Sequence, residues 1–331
     1  MKFITFNLGH DVNLEMVLIP SGKFVMGSPD SEVNRGSDET QHEVIISNPF
    51  YLGKFPITQG QWQEVMGYNP SRFKGDSQLP VETISYVDVQ EFCRKLTNIT
   101  QAPFGIPTEA QWEYACRAGT TTPFHFGSEL NGTQSNCNGH YPYPAIKGWF
   151  GTKNKGPYHR KTTIVGKYPA NSWGLHDMHG NVWEWCSDWY DKYPTGTIKD
   201  PFTPENGTFR IRRGGSWHND AENCRSARRP INGNTRRNSN CGFRVMLGGD
   251  FDCWLCFIDF ISFCVDMRGT GSSRHFTPCQ RLHLMLFPKG SDFPNKTHYF
   301  YCHATITVMV GLRCVIIKSR KPLAGLSLRQ F

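Results

Sequence analysis

The sequence predicts a mixed α+β fold with little regular secondary structure and long ordered loops. Three observations support this fold class. Only three capped helix starts are visible, the strand-like segments are short, and glycine supplies 32 of the 331 residues. Charged residues make up only 19% of the chain and aromatic residues 13%. This composition is typical of a loop-rich globular protein with an aromatic core rather than of a helical bundle.

Each predicted helix begins at a capping box, in which two side chains three positions apart bond to each other's backbone N–H groups. The pairs are Thr58 with Gln61, Ser85 with Asp88, and Thr108 with Gln111. In the second helix the apolar residues recur at the spacing of one helical face. These residues are Val89, Phe92, Cys93 and Leu96. Cys93, and Cys116 in the third helix, are therefore predicted to be core residues.

The remaining segments predict short strands and long loops. Residues 24–27 and 42–47 have the composition of strands. Residues 120–171 are rich in Gly, Asn, Pro and Tyr and have little periodicity. A run of this length inside a domain usually forms ordered functional loops, often held by a metal.

The composition changes near residues 247–250. We therefore divide the chain into a lead-in of residues 1–12, a domain of residues 13–247 and a tail of residues 248–331. The tail is rich in Cys and Phe, lacks Glu and has no clear helical or strand period. It is predicted to be poorly ordered, as an out-of-frame or read-through translation would be. The alternative is a metal-binding appendage, with Cys253 and Cys256 as half of a zinc site.

Charge and hydropathy restrict the partners. Residues 251–331 hold ten Lys and Arg against four Asp, so the tail supplies +6 of the net charge of +8. The domain is therefore not expected to bind nucleic acid. No run of eighteen apolar residues and no secretory signal is visible, so neither membrane insertion nor export is expected. The default expectation is a cytoplasmic protein.

The segment of residues 174–190 combines three Trp with carboxylates of both types, Asp and Glu, and a Gly-Asn turn. Asp177 and Glu184 flank this turn, Gly180-Asn181, which would expose backbone carbonyls beside them. Calcium prefers such a mixture of carboxylate and carbonyl oxygens. The alternatives are that the aromatic residues mark a packed hub and that Glu184 pairs with an Arg of the closing strands.

Residues 180–185, Gly-Asn-Val-Trp-Glu-Trp, closely resemble the central motif of the formylglycine-generating enzymes, also called sulfatase-modifying factors. Three further segments resemble the opening strand, the middle helix and the closing strands of that family, in order along residues 13–247. They are residues 16–28, residues 107–119, and Arg213-Gly-Gly-Ser-Trp217 followed by Gly242-Phe-Arg244. The resemblance implies the formylglycine-generating-enzyme-type variant of the C-type lectin fold.

The resemblance also implies a chemistry. Enzymes of this family oxidise a sulfatase Cys to formylglycine, using oxygen and copper held by two Cys thiolates. Soft thiolates select Cu(I). Here Gly214-Gly-Ser216 is followed by a single Cys, Cys224, so the copper-binding pair is not matched and oxidase activity is not expected. The alternative is that Cys224 meets Cys241, the only other Cys nearby in sequence.

The family pattern assigns further site residues. It places Trp183, Ser216, Arg229 and Asn240 in the substrate cleft. Local alternatives are a turn for Ser216, a carboxylate partner for Arg229 and a cap on Gly242 for Asn240.

The same pattern implies structural calcium. Asp177 and Glu184 would supply carboxylates, and Gly180 and Val182 would supply carbonyls. A second calcium site would use the Asn136-Cys137 backbone. His176 and His179 are interpreted as solvated residues rather than as a ligand pair.

A second function class stays open. Residues 217–240 are crowded with Asn, Arg and Ser and are similar to the variable region of proteins that retroelements diversify. Those proteins use this fold to display a binding surface. The alternative to an enzyme is therefore a non-catalytic module that binds a protein or peptide ligand, with a sulfatase as one candidate ligand.

Overall fold

The computed structural model describes residues 2–144, 147–148, 151–152, 154–202, 207–248, 305–310 and 313–318. The chain divides into two units, Met1–Ile261 and Ser262–Phe331. In the part of the chain that is described, no helix is both long and apolar enough to cross a bilayer.

The three helices of the first unit begin where the capping boxes predict. They are α1 (Gln59–Met66), α2 (Tyr86–Thr100) and α3 (Glu109–Arg117). In each helix both hydrogen bonds of the capping box form. Gly67 ends α1 at a φ of 86°, a left-handed conformation that costs glycine little.

Three sheets are built from short strands that are distant in sequence. The five-stranded sheet has the order β1 (Phe3–Asn7), β2 (Asn13–Ile19), β5 (Phe50–Gly53), β14 (Met246–Gly248) and β6 (Phe104–Gly105). The three-stranded sheet has the order β10 (Ile198–Lys199), β4 (His42–Ile46) and β3 (Gly22–Met26). The four-stranded sheet has the order β12 (Ile231–Asn232), β11 (Arg210–Arg213), β9 (Trp183–Trp189) and β13 (Cys241–Gly242).

The smaller elements complete the described structure. A short pair joins β7 (Lys147–Gly148) to β8 (Gly151–Thr152), and a 3₁₀ turn spans Ala221–Cys224. In the second unit, β15 (Thr305–Val310) pairs antiparallel with β16 (Arg313–Lys318). Most of the predicted tail, including Cys253 and Cys256, lies outside the described residues, so its predicted disorder stays a prediction.

Aromatic packing forms the largest core cluster, between α1, α2 and the five-stranded sheet. Trp62 is fully buried, and its ring stacks on Phe92 with centroids 5.2 Å apart. Phe243 meets both rings edge-on. Such aromatic pairs contribute about 0.5–1.5 kcal/mol each beyond the burial of their surface. A second cluster packs α3 against β2, β4 and β9.

Buried arginines connect segments that are far apart in the chain. Each contacts at least one glutamate carboxylate. The pairs are Arg213 with Glu109 and Glu113, Arg225 with Glu32 and Glu39, Arg229 with Glu109, and Arg244 with Glu184. A buried charge is tolerated only when it is paired in this way.

Candidate functional site

A cleft of about 660 Å³ opens at one end of the four-stranded sheet. Residues 217–219 and 237–240 supply much of its lining, together with Arg72, Trp183 of β9 and Arg212 of β11. The parallel pairing of β13 with β9 brings Cys241 opposite Trp183 and holds the adjoining residues 237–240 at this end of the sheet. The volume is in the usual range for sites that bind small molecules or short segments.

Two of the four expected cleft residues line this cleft, namely Trp183 and Asn240. Ser216 lies beneath it: its fully buried Oγ donates to Asn219 Oδ1 at 2.5 Å and accepts from Asn240 Nδ2 at 3.3 Å. Ser216 therefore orients two cleft amides. Arg229 is not among the lining residues.

The guanidinium of Arg229 is buried against another group. Its Nε and Nη2 donate to the two carboxylate oxygens of Glu109 at 2.8 and 2.9 Å, and Tyr193 stacks on it at 3.6 Å. The carboxylate-pairing alternative thus describes the contacts of Arg229, and its expected place in the substrate cleft stays a prediction. An unpaired charge would be costly at this depth.

Cys224 does not line the cleft, although the preceding residue, Asn223, does. It is fully buried, and its thiol forms a hydrogen bond with the thiol of Cys137, which is also buried. That hydrogen bond, together with burial, holds the pKa of Cys224 well above its usual range. Cys241 lies in a different core cluster, so the thiol that Cys224 meets is that of Cys137. Neither Cys224 nor Cys137 lines the cleft, so neither presents a thiolate there.

Glycine makes this packing possible. Gly215 has a φ of +80°, and a Cβ at this position would lie 2.3 Å from Cys224 Sγ. Any side chain at residue 215 would overlap the Cys224 sulfur, so the close approach of the Gly-Gly-Ser backbone to this thiol requires glycine.

The carboxylate of Glu184 accepts three hydrogen bonds from neighbouring side chains. Oε2 accepts from Arg244 Nε at 2.7 Å and from Trp112 Nε1 at 2.6 Å, and Oε1 accepts from Arg244 Nη2 at 2.7 Å. This is the arginine pairing that the sequence left open. In the described part of the chain, no group of three or more His, Cys, Asp or Glu is arranged to hold a metal. The expected ligand set of Asp177, Gly180, Val182 and Glu184 stays a prediction, in which Glu184 would have to bind the ion while bonded to Arg244 and Trp112.

Two other buried oxygens keep the calcium expectation open. Asp177 Oδ2 accepts from the Gly166 N–H at 2.7 Å, whereas its Oδ1 is buried without a hydrogen-bond partner among the described residues. Burial raises the pKa of Asp177 to about 6. Asn136 Oδ1 is likewise buried and without a partner in the described residues. Both are hard oxygen atoms of the kind that calcium binds.

The structure also buries His179, which the sequence analysis interpreted as solvated. His179 is 2% exposed, its Nδ1 lies 2.7 Å from the Cys224 carbonyl oxygen, and its Nε2 accepts from the His125 N–H at 3.1 Å. These partners require a neutral ring with the proton on Nδ1. The prediction was therefore wrong for His179. His176 is half-buried, beside the Tyr168 carbonyl.

Comparison with known proteins gives this geometry a family. The model of the sulfatase-modifying factor enzyme 1-like domain matches residues 9–248. A formylglycine-generating enzyme of Streptomyces coelicolor is 35% identical over 236 residues, which cover 68% of this chain and 67% of that protein. The chaperone protein LppX of Paenibacillus barcinonensis is 30% identical over 250 residues, which cover 62% of this chain and 79% of that protein.

One further relative is matched over part of its length, and a solved structure shares the fold. The chain spans only 38% of a serine/threonine-protein kinase of Chlamydia caviae to which it is 28% identical. The structure of Treponema denticola variable protein 1 superposes with a TM-score of 0.62 at 26% identity, covering 74% of this chain and 98% of that one. The predicted family and the predicted α+β variant of the C-type lectin fold are thus confirmed. The chain belongs to the family of sulfatase-modifying factor enzyme 1-like proteins.

Proposed function

We propose that this chain is a ligand-binding module of the family rather than a copper-dependent oxidase. The observation that carries the proposal is the position of Cys224. Its thiol is fully buried against Cys137 behind Gly215, and the lining of the cleft, in the residues described, contains no Cys. A copper oxidase of this type needs two thiolates that converge where the substrate binds.

One segment supplies most of the cleft lining, which supports a function in which that segment presents variable side chains to a ligand. Nine of the twelve lining residues belong to the Asn-rich segment 217–240. Main-chain hydrogen bonds anchor this segment: Trp217 N donates to Asn181 O at 3.0 Å, and Asn238 O accepts from Thr83 N at 3.0 Å. Because these anchors do not depend on side-chain identity, the lining side chains can change without loss of the scaffold. This is what a retroelement-diversified binding protein would need.

The ligand that such a cleft would take is a protein or peptide segment. Asn219, Asn223 and Asn240 present amide groups that can both donate and accept, as a peptide backbone does. A structural calcium ion is part of the proposal, with Asp177 as a candidate ligand because its buried Oδ1 has no hydrogen-bond partner among the described residues.

The first experiment tests the chemistry. Reduced protein is loaded with Cu(I) and incubated with oxygen and a Cys-x-Pro-x-Arg peptide, with the Streptomyces coelicolor enzyme as a positive control and aldehyde formation followed by mass. We expect no product. Turnover that is lost in Cys224→Ser would restore the oxidase and refute the proposal.

The second experiment tests binding. Peptides selected from a random display library on the immobilised protein should lose binding in Asn240→Trp, which fills the cleft. They should retain it in Val87→Trp, the matched control at a position on α2 that is 50% exposed and outside the cleft lining. Binding that is equal in both variants would show that the cleft is not the ligand site.

A further inference from the structure

We infer that the cleft selects acidic peptide segments, with a carboxylate placed between Arg72 and Arg212. The inference rests on the proposed binding function and adds the chemical class of the ligand. The described lining contains three arginines and no Asp or Glu. The site therefore has an excess of positive charge where a ligand would lie.

Among the described residues, two of the three arginines form no ion pair with a carboxylate. The third, Arg237, donates from Nε and Nη2 to the two oxygens of Asp88, both at 2.8 Å, so its charge is compensated. Within the described residues, Arg72 and Arg212 form no ion pair within 4.0 Å, in contrast to the buried arginines, each of which contacts a glutamate. The carboxylate of Glu82 accepts a hydrogen bond from the Arg72 backbone and interacts electrostatically with the Arg72 charge, but it forms no ion pair with the guanidinium within 4.0 Å.

The guanidinium of Arg212 is held in place by its neighbours, but not all of its hydrogen-bond donors have partners among the described residues. Its guanidinium lies 5.6 Å from the Trp183 ring and 5.9 Å from the Trp185 ring, which restricts its orientation. One Nη donates to the Ile231 carbonyl at 3.3 Å, whereas Nε is buried and has no hydrogen-bond partner among the described residues. Because Nε is buried, only the Nη groups of Arg212 can reach a ligand, and a guanidinium positioned in this way can donate them to a carboxylate.

The rest of the lining indicates a peptide rather than a free anion. Trp183 and Trp217 line the cleft but are only 3% and 8% exposed, so they offer a narrow aromatic edge, and Trp217 Nε1 donates to the Ser239 carbonyl at 3.0 Å. An acidic residue next to an aromatic one would use both the two cations and this edge. By the same reasoning, the cleft disfavours the Arg-containing peptide of the sulfatase type, because like charges repel.

The test measures binding of the probe acetyl-Glu-Phe-Glu-Glu-amide by calorimetry and tryptophan fluorescence at low and high salt. Matched probes replace every Glu by Gln or by Lys, and a Cys-x-Pro-x-Arg peptide is the fourth ligand. Arg72→Gln and Arg212→Gln remove the two unpaired cations. Arg236→Gln is the matched control, since this exposed arginine of the same segment carries the same charge and does not line the cleft.

We expect the Glu probe to bind and the Lys probe not to bind. Hydrogen bonds to charged groups contribute about 1.5–3 kcal/mol, so each cleft variant should weaken binding about tenfold or more. Arg236→Gln should change it less than twofold, and added salt should weaken it. Arg72 is exposed, so Arg72→Gln remains informative even if Arg212→Gln fails to fold.

Two results would overturn the inference. One is the absence of saturable binding of the Glu probe at millimolar concentration, and the other is equal affinity in Arg72→Gln and Arg236→Gln. Preferential binding of the Arg-containing peptide without its oxidation would refute the ligand class while leaving the binding module intact. Oxidation of that peptide would refute the proposed function itself.

Discussion

Replacing Glu184 by Gln should destabilise the protein strongly, because it leaves the charge of Arg244 buried without compensation. Both side chains are at most 1% exposed, and the carboxylate accepts two bonds of 2.7 Å from the guanidinium. Removal of one partner of a buried pair costs about 3–5 kcal/mol. For a domain of about 150–250 residues, each kcal/mol lowers Tm by roughly 2–4 °C. The expected fall in Tm is therefore about 6–20 °C.

The assay is thermal and urea unfolding followed by circular dichroism. Glu91→Gln is the matched control, because its pair with Arg94 is exposed and screened by solvent and should therefore contribute little to stability. The double variant Glu184→Gln/Arg244→Met should recover part of the loss, because the unpaired charge is then absent. A loss below about 1 kcal/mol, or no recovery in the double variant, would refute the reasoning. If Glu184→Gln instead abolished the response of Tm to a calcium chelator, Glu184 would be a metal ligand.

Three further outcomes follow from single buried groups. Calcium should raise the Tm of the wild type but not that of Asp177→Asn. Asn tolerates the left-handed φ of 55° at this position, so the substitution removes the charge without straining the backbone. Equal responses in the two proteins would exclude Asp177 as a ligand. Burial lowers the pKa of His125 to about 4 and that of His179 well below 6.5, so both rings fold neutral. Their contribution to stability is complete above pH 6.5 and is lost as pH falls towards 4, so Tm should fall over that range, and less steeply in His125→Phe. Gly215→Ala should lower the free energy of unfolding in urea by at least about 2 kcal/mol, because backbone strain at φ +80° adds to a clash with Cys224. The control Gly75→Ala should lower it less, because a Cβ at Gly75, where φ is +127°, would meet no neighbouring atom within 4 Å.

The helices and the family motifs were predictable because their causes are local. A capping box needs only two side chains three positions apart, and in all three cases the structure forms both of its bonds. The helical spacing of Val89, Phe92 and Leu96 likewise placed these residues in the core, where the structure buries them.

The interior of the site could not be predicted in the same way, because its partners are distant in sequence. Arg229 and Glu109 are separated by 120 positions, and nothing near Arg229 indicates which carboxylate it meets. The burial of His179 depends on the Cys224 carbonyl, 45 positions away. The resemblance to the family named residues for the cleft, but it could not show that Ser216 supports the cleft from beneath.

The position of β14 has a consequence for how the chain folds as it is made. β14 is the fourth of five strands and lies between β5 and β6, so it joins strands from the beginning and the middle of the domain. About 230 residues separate β2 from β14. At a synthesis rate of roughly 5–20 residues per second, β14 is synthesised about 12–46 s after β2, and the sheet is incomplete during this interval. During that time the edge of β5 is open to pairing with another chain, so a ribosome-bound fragment ending before Met246 should be more prone to aggregate, or more dependent on chaperones, than the finished domain.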